Sequence, residues 1–176
     1  ISMWVRPTTD AASSGYQHLW GQNGYTADAI DAQTYGGSFY VGWYTAGGGS
    51  QRCIVAITDA MWRQRQWNLF VYGWDSSGST LYANGRLIAS NSAPTDRTLT
   101  DTSNFVFGAR QSVGTDPCDG PFADGRIYDR HLSAAQVAEM WDPATRHDLY
   151  QQSSRRTYFT LSSGAITGSL TARSAP

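Results

Sequence analysis

The stretch that most constrains this chain runs from Phe122 to Val137. Residues 123–128 read as a strand, with Phe122 and Ile127 supplying buried side chains. A tight corner follows, and then a short capped helix. Ser133 is placed to cap the helix N-terminus, and Gln136, three residues on, completes a capping box. Leu132 before the cap and Val137 after it make a hydrophobic staple. Upstream, short strand candidates recur every ten or so residues between glycine-rich turns, the pattern of a sandwich or barrel. They lie near 2–6, 16–20, 39–44, 52–57, 67–72, 80–83, 86–89 and 104–107. Asn84-Gly85 is the strongest turn signal, because both residue types accept positive φ and so close a type I′ hairpin. A chain of 176 residues is long enough for one well-buried domain and short for two.

Four ordered segments carry a family resemblance. They are Met3-Trp4-Val5-Arg6-Pro7, the strand led by Trp67, the hairpin from Leu81 to Ser90, and the run from Ala123 to Val137. Together they resemble laminin-G-like domains of the concanavalin A-like lectin and glucanase superfamily, of the kind found in bacteriophage virion proteins. The match to the family's closing pattern keeps Asp124, Arg126 to Arg130, Leu132 to Ala135 and Val137, and it puts Gly125 where the family usually has valine. The resemblance implies an all-β, two-sheet antiparallel jelly-roll sandwich. One short helix follows its last core strand, and the C-terminal segment is extended. It also implies a strand before Ile1, expected to be missing from this sequence or supplied by another segment. The expected division is a sandwich over 1–141 and an anchoring segment over 142–176.

Composition removes several function classes. A net charge of −1 sets up no field favouring nucleic acid or an anionic membrane. No run of eighteen apolar residues occurs, so no helical span is expected. All thirteen basic residues are arginine; a codon-biased, GC-rich genome is the plainer reading, and planar multi-donor contacts at protein interfaces are the functional one. Cys53 lies in an apolar strand and Cys118 in a polar loop; two free thiols are favoured over a disulfide.

The chemistry of glucanases is hard to build here. Retaining hydrolases need two carboxylates about 5 Å apart, usually two glutamates on one strand face. Glu139 is the single glutamate, and it falls in the helix. Asp124 and Asp129 are expected on opposite strand faces. No nucleophile elbow occurs. His18, His131 and His147 are far apart and read as surface or corner residues, so the chain is not expected to be an enzyme. No cofactor is expected either. If a Ca²⁺ is held at the sandwich rim, as in some laminin-G-like modules, Asp116 and Asp119 are the counterpart residues. A solvated turn is the plainer reading, because calcium wants six to eight oxygens.

Aromatic residues are the remaining asset. Phe39, Val41 and Trp43 alternate with Tyr40 and Tyr44, so if the first set is core the two tyrosines lie on the other face, where rings can stack on sugars. Trp4, Trp62, Trp67 and Trp74 read as core or corner residues. Beyond Trp141, Asp142 and Pro143 read as the start of a second helical turn. Arg155, Arg156, Tyr158 and Phe159 head a last strand and are candidates for anchoring on a neighbouring subunit. That tail resembles those following laminin-G-like domains in phage and prophage proteins. The expected function is therefore a non-enzymatic virion structural protein: a capsid decoration or a tail- or fibre-associated lectin-like domain at the virion surface. Its expected partners are other virion proteins, copies of itself or surface glycans. The alternative is a carbohydrate-binding adhesion module of a secreted, extracellular bacterial protein.

Overall fold

Alternating apolar and polar side chains make strands of this chain, and the turns between them decide which strands become neighbours. The computed structural model describes residues 1–10, 15–22, 29–44, 50–92, 105–110 and 116–144, with the backbone alone at 44, 50, 51, 158–159 and 172–173. Ten strands form two five-stranded sheets. Sheet I runs in the order β10 (Phe122–Arg126), β1 (Ser2–Val5), β6 (Asn68–Asp75), β7 (Gly78–Ala83), β8 (Arg86–Asn91). Sheet II runs in the order β5 (Ser50–Ala56), β4 (Ser38–Tyr44), β3 (Ile30–Tyr35), β2 (Gln17–Gln22), β9 (Phe105–Phe107). Every pairing is antiparallel. The expected all-β two-sheet sandwich is what forms.

The core lies between the sheets. Met3, Phe70, Tyr72 and Leu81 of sheet I meet Trp20, Ile30, Phe39, Val41 and Trp43 of sheet II, all fully buried. Phe39 stacks on Phe70 with ring centroids 5.0 Å apart, and Trp43 meets Trp74 edge-on at 5.3 Å. Each such side chain contributes roughly 1.5–3 kcal/mol by leaving water.

The helix α1 (Ala134–Trp141) covers the outer face of sheet I. Trp4, Leu69, Val71 and Tyr82 point away from the main core and pack against Leu132, Val137 and Met140. Trp141 stacks on Trp4 at 5.6 Å. The capping box forms as the sequence demands. The Ser133 hydroxyl accepts from the Gln136 N–H at 3.3 Å, and Gln136 Oε1 accepts from the Ser133 N–H at 3.0 Å.

Asn84 and Gly85 take φ of 52° and 78°, as a type I′ turn requires. The Asn84 side chain does more than permit the turn. Its Oδ1 accepts from the Leu69 N–H at 3.0 Å, and its Nδ2 donates to the Ala60 carbonyl at 2.9 Å and to Asn68 Oδ1 at 3.2 Å. Asn68 in turn donates to the Arg63 and Gln66 carbonyls, both at 2.9 Å. Two buried asparagines thus fasten the loop before β6 to sheet I.

Some expectations need correction or narrowing. β3 was not anticipated as a strand. Phe122 and Ile127 are each 49% exposed rather than buried. Phe122 begins, and Ile127 follows, an edge strand that slips register against β1 and turns at Asp124, whose φ is 51°. That strand ends at Arg126, so Asp129 is not on it. Trp67, read as core or corner, is 40% exposed at the corner ahead of β6. Asp142 closes α1, its N–H donating to the Ala138 carbonyl at 2.9 Å; its carboxylate also accepts from the Ala144 N–H at 2.9 Å and so starts the next turn. The glycine at 125 has a cause as well: a Cβ there would stand 2.7 Å from the Phe107 ring.

Candidate functional site

No described element covers the outer face of sheet II as α1 covers sheet I. Inward Ile30, Ala32 and Thr34 leave Asp31, Gln33 and Tyr35 facing out on β3. The register places Tyr40 opposite Gln33 and Ile54, and Gly42 opposite Asp31 and Arg52. On β2, His18 faces out opposite Gln33 and Gly21 opposite Asp31. This face divides into two ends of different character.

One end is polar and closed. Asp31 is 2% exposed and Gln33 4%, and His18 is fully buried. Arg52 Nη2 donates to Asp31 Oδ1 at 2.5 Å. The other carboxylate oxygen lies 3.7 Å from His18 Nε2. Neither His18 ring nitrogen has a hydrogen-bond partner among the described residues. His18 is therefore no surface residue, contrary to expectation. Polar residues on an outward strand face read as solvated from sequence, and only the register reveals a buried set. Gly21 belongs here too, since a Cβ on it would meet the Arg110 carbonyl oxygen at 2.0 Å.

The other end is aromatic and open. Tyr16 and Tyr35 stack face to face, with centroids 4.2 Å apart and planes 10° from parallel. They are 39% and 46% exposed. Tyr40 is half-buried beside them, and Ile54 is 55% exposed on the far strand. Of the two tyrosines picked from the sequence, Tyr40 sits on this face. Tyr44 ends β4, paired with Ser50, and its side chain lies outside the described residues. Sequence reasoning missed Tyr16 and Tyr35, because their meeting depends on β3. The available signal was Gly36-Gly37, which takes φ of 56° and 77° and closes the β3–β4 hairpin.

Other clusters are committed to structure. His131 Nδ1 lies 3.0 Å from Asp75 Oδ2, and its Nε2 lies 2.8 Å from Thr80 Oγ1. The ring occupies the space a Cβ at Gly73 would need, so this tie pins the corner before α1 to sheet I. The Ser77 hydroxyl and N–H hold the Asp75 carboxyl below its ordinary range, helped by His131. Asp119 Oδ1 accepts from the Thr8 hydroxyl at 2.6 Å, and with Thr9 this bond lowers its pKa. Asp116 Oδ2 stands 3.8 Å from Arg110. Among the described residues no three His, Cys, Asp or Glu side chains gather as a metal site. Cys53 and Cys118 are unbonded, and burial pushes the Cys118 thiol up to about 12, with Asp119 adding to it. A cavity of about 140 Å³ lies between β10 and α1. Its arginines are engaged, Arg126 with Asp124 at 2.6 Å and Arg130 with Gln136 at 3.0 Å. In the C-terminal segment, β11 (Tyr158–Phe159) pairs with β12 (Ala172–Arg173), while Arg155, Arg156 and His147 lie outside the described residues.

Comparison with known proteins agrees with this architecture. A laminin-G family model of the concanavalin A-like lectin/glucanases superfamily matches residues 1–138, and the chain belongs to that family. No curated protein matches it. Among solved structures, the CBM40 of the Ruminococcus gnavus IT-sialidase superposes with a TM-score of 0.58 at 18% identity, over 80% of this chain and 82% of that one. A structure of that module bound to α2,3-sialyllactose gives 0.55 at 16% identity, with the same coverage. The binding domain of Paraclostridial Mosquitocidal Protein 1 gives 0.58 at 19% identity, over 80% of this chain and 36% of that one. At these identities the likeness is one of fold.

Proposed function

We infer that the chain is a non-catalytic, lectin-like recognition domain that binds glycans on the outer face of sheet II. The observation that carries this reading is the open aromatic end of that face, where Tyr16 and Tyr35 stack beside Tyr40. Aromatic rings on a firm sheet offer sugars large contact area at small entropic cost. Family membership supports the reading, as does a solved module of the same fold bound to sialyllactose. The lone glutamate, Glu139, sits on α1 over the other sheet, away from this face. A glycan array probed with the whole chain tests the proposal. Binding that falls on Tyr40→Ala and Tyr44→Ala together supports it, and an array without a single bound glycan contradicts it.

The domain's place is proposed to be a virion surface, as a capsid decoration or a tail or fibre component, with residues 142–176 as its anchor. The support is the tail's resemblance to phage proteins and the arginines at 155 and 156, suited to docking on carbonyl and acidic groups. Purified particles should yield peptides of this chain in stoichiometric amounts. If it is instead recovered only among secreted bacterial proteins, the adhesion-module reading replaces the virion one.

A further inference from the structure

Strand order and register set four exposed or half-exposed side chains on a diagonal across the outer face of sheet II, with Tyr40 and Ile54 one outward position along from Tyr35. Tyr16 precedes β2, Tyr35 lies on β3, Tyr40 on β4 and Ile54 on β5, on four strands adjacent in the sheet. Three inter-strand steps at about 4.8 Å make a strip about 14 Å long. That is the reach of a short linear oligosaccharide rather than of one sugar.

None of the four strip residues is charged; on this face their described neighbours are Ser38 opposite Tyr35, Gln33 opposite Tyr40, His18 with its ring 6.3 Å from Tyr16, and Arg52 two residues before Ile54. The charges elsewhere on this face are already matched. Arg52 and Asp31 are joined to each other with side chains only 7% and 3% exposed, and Arg110 stands by Asp116 at the β2 edge. A carboxylate-bearing sugar would have to compete with Asp31 for Arg52 and would leave a buried acid without its partner, which is strongly unfavourable. A neutral sugar asks nothing of these ions. Its apolar ring faces can lie on the tyrosines and Ile54, with the phenolic hydroxyls at hand for its own.

Resting on the recognition reading above, we propose that the ligand is an uncharged oligosaccharide of a few units, laid across the strands from Tyr16 to Ile54. The chain would then differ in ligand class from the structurally similar module that was solved with sialyllactose.

An array of neutral and acidic glycans, followed by calorimetry on the whole chain, tests this. The probes are lactose, cellotriose and chitotriose, with 3′-sialyllactose as the acidic counterpart of lactose. At least one neutral probe should bind, and sialyllactose should bind no better than lactose. Tyr35→Ala should weaken the neutral ligand about tenfold, and Tyr35→Phe should restore most of it. Ile54→Asp puts a charge on the strip at a position 55% exposed; with its circular dichroism and melt checked against the parent, it should bring a similar loss. Binding confined to sialylated or sulfated glycans overturns the ligand class and leaves the recognition reading standing. Neutral binding that survives both Tyr35→Ala and Ile54→Asp overturns the strip. An array with no bound glycan overturns both readings.

Discussion

The two outer faces of this sandwich are built from the same kind of strand and finished with different side chains. On sheet I the outward residues are Trp4, Leu69, Val71 and Tyr82, and the chain supplies α1 to cover them. On sheet II the outward residues are His18, Asp31, Gln33, Tyr35, Tyr40, Arg52 and Ile54, and no described element plays the part of α1. An apolar outer face must be buried, so it is spent on stability. The outer face of sheet II mixes a matched ion pair at its closed end with open rings at the other, and under the proposed function the open end is the part left for contact.

Substitutions can break this contrast, beginning with the largest expected effect. Arg52→Ala should cost about 3–5 kcal/mol in chemical denaturation, because Asp31 would stay buried without its partner. If Arg52→Ala melts like the parent, the closed end of sheet II is solvated and the division of that face is wrong. Met140→Ala, which opens a hole between α1 and sheet I, should cost about 2–4 kcal/mol. Ser133→Ala should lower stability by about 1 kcal/mol through the lost cap. Ile54→Ala, at the open end of sheet II, should stay within about 0.5 kcal/mol of the parent. A large loss there would mean that this end is covered.

The Asn84 turn allows a sharper test. Asn84→Gly keeps the positive φ but removes the side-chain bonds to Leu69, Ala60 and Asn68. It should cost about 2–3 kcal/mol for the buried groups left without partners. Gly85→Val should fail to give soluble protein, since φ is 78° and a Cβ there would meet the Trp141 side chain at 2.9 Å. A pH effect should accompany the sheet I corner. Asp75 has a folded pKa below its unfolded one, so its contribution is full above about pH 4 and is lost as pH falls through the folded value. Asp75→Asn should flatten the acid limb of the melting curve.

How much of this was legible beforehand depends on where the signal lay. The capped corner and the type I′ hairpin were readable because Ser133, Gln136, Asn84 and Gly85 act on their own backbone within a few residues. The core set on β4 was readable because Phe39, Val41 and Trp43 alternate with plainly different neighbours. β3 was not, because its inward Ile30, Ala32 and Thr34 hardly differ in polarity from an ordinary loop. Losing β3 hid the Tyr16–Tyr35 stack and the His18–Asp31–Arg52 cluster, all of which arise from register rather than from local sequence. Phe122 and Ile127 misled for a related reason: apolar residues beside an edge strand with a bulge need not face the core. Of the residues singled out for contact, Tyr40 lies on the candidate face, and the side chains of Tyr44, Arg155, Arg156, Tyr158 and Phe159 fall outside what the structure describes.

The contrast between the two faces is tested most directly by amide chemical-shift mapping of the chain titrated with the tightest-binding glycan from the array. The account predicts perturbations at Tyr16, Tyr35, Tyr40 and Ile54, with α1 and β6 to β8 silent. Shifts that cluster on α1 or on the corner around His131, with sheet II silent, would contradict it.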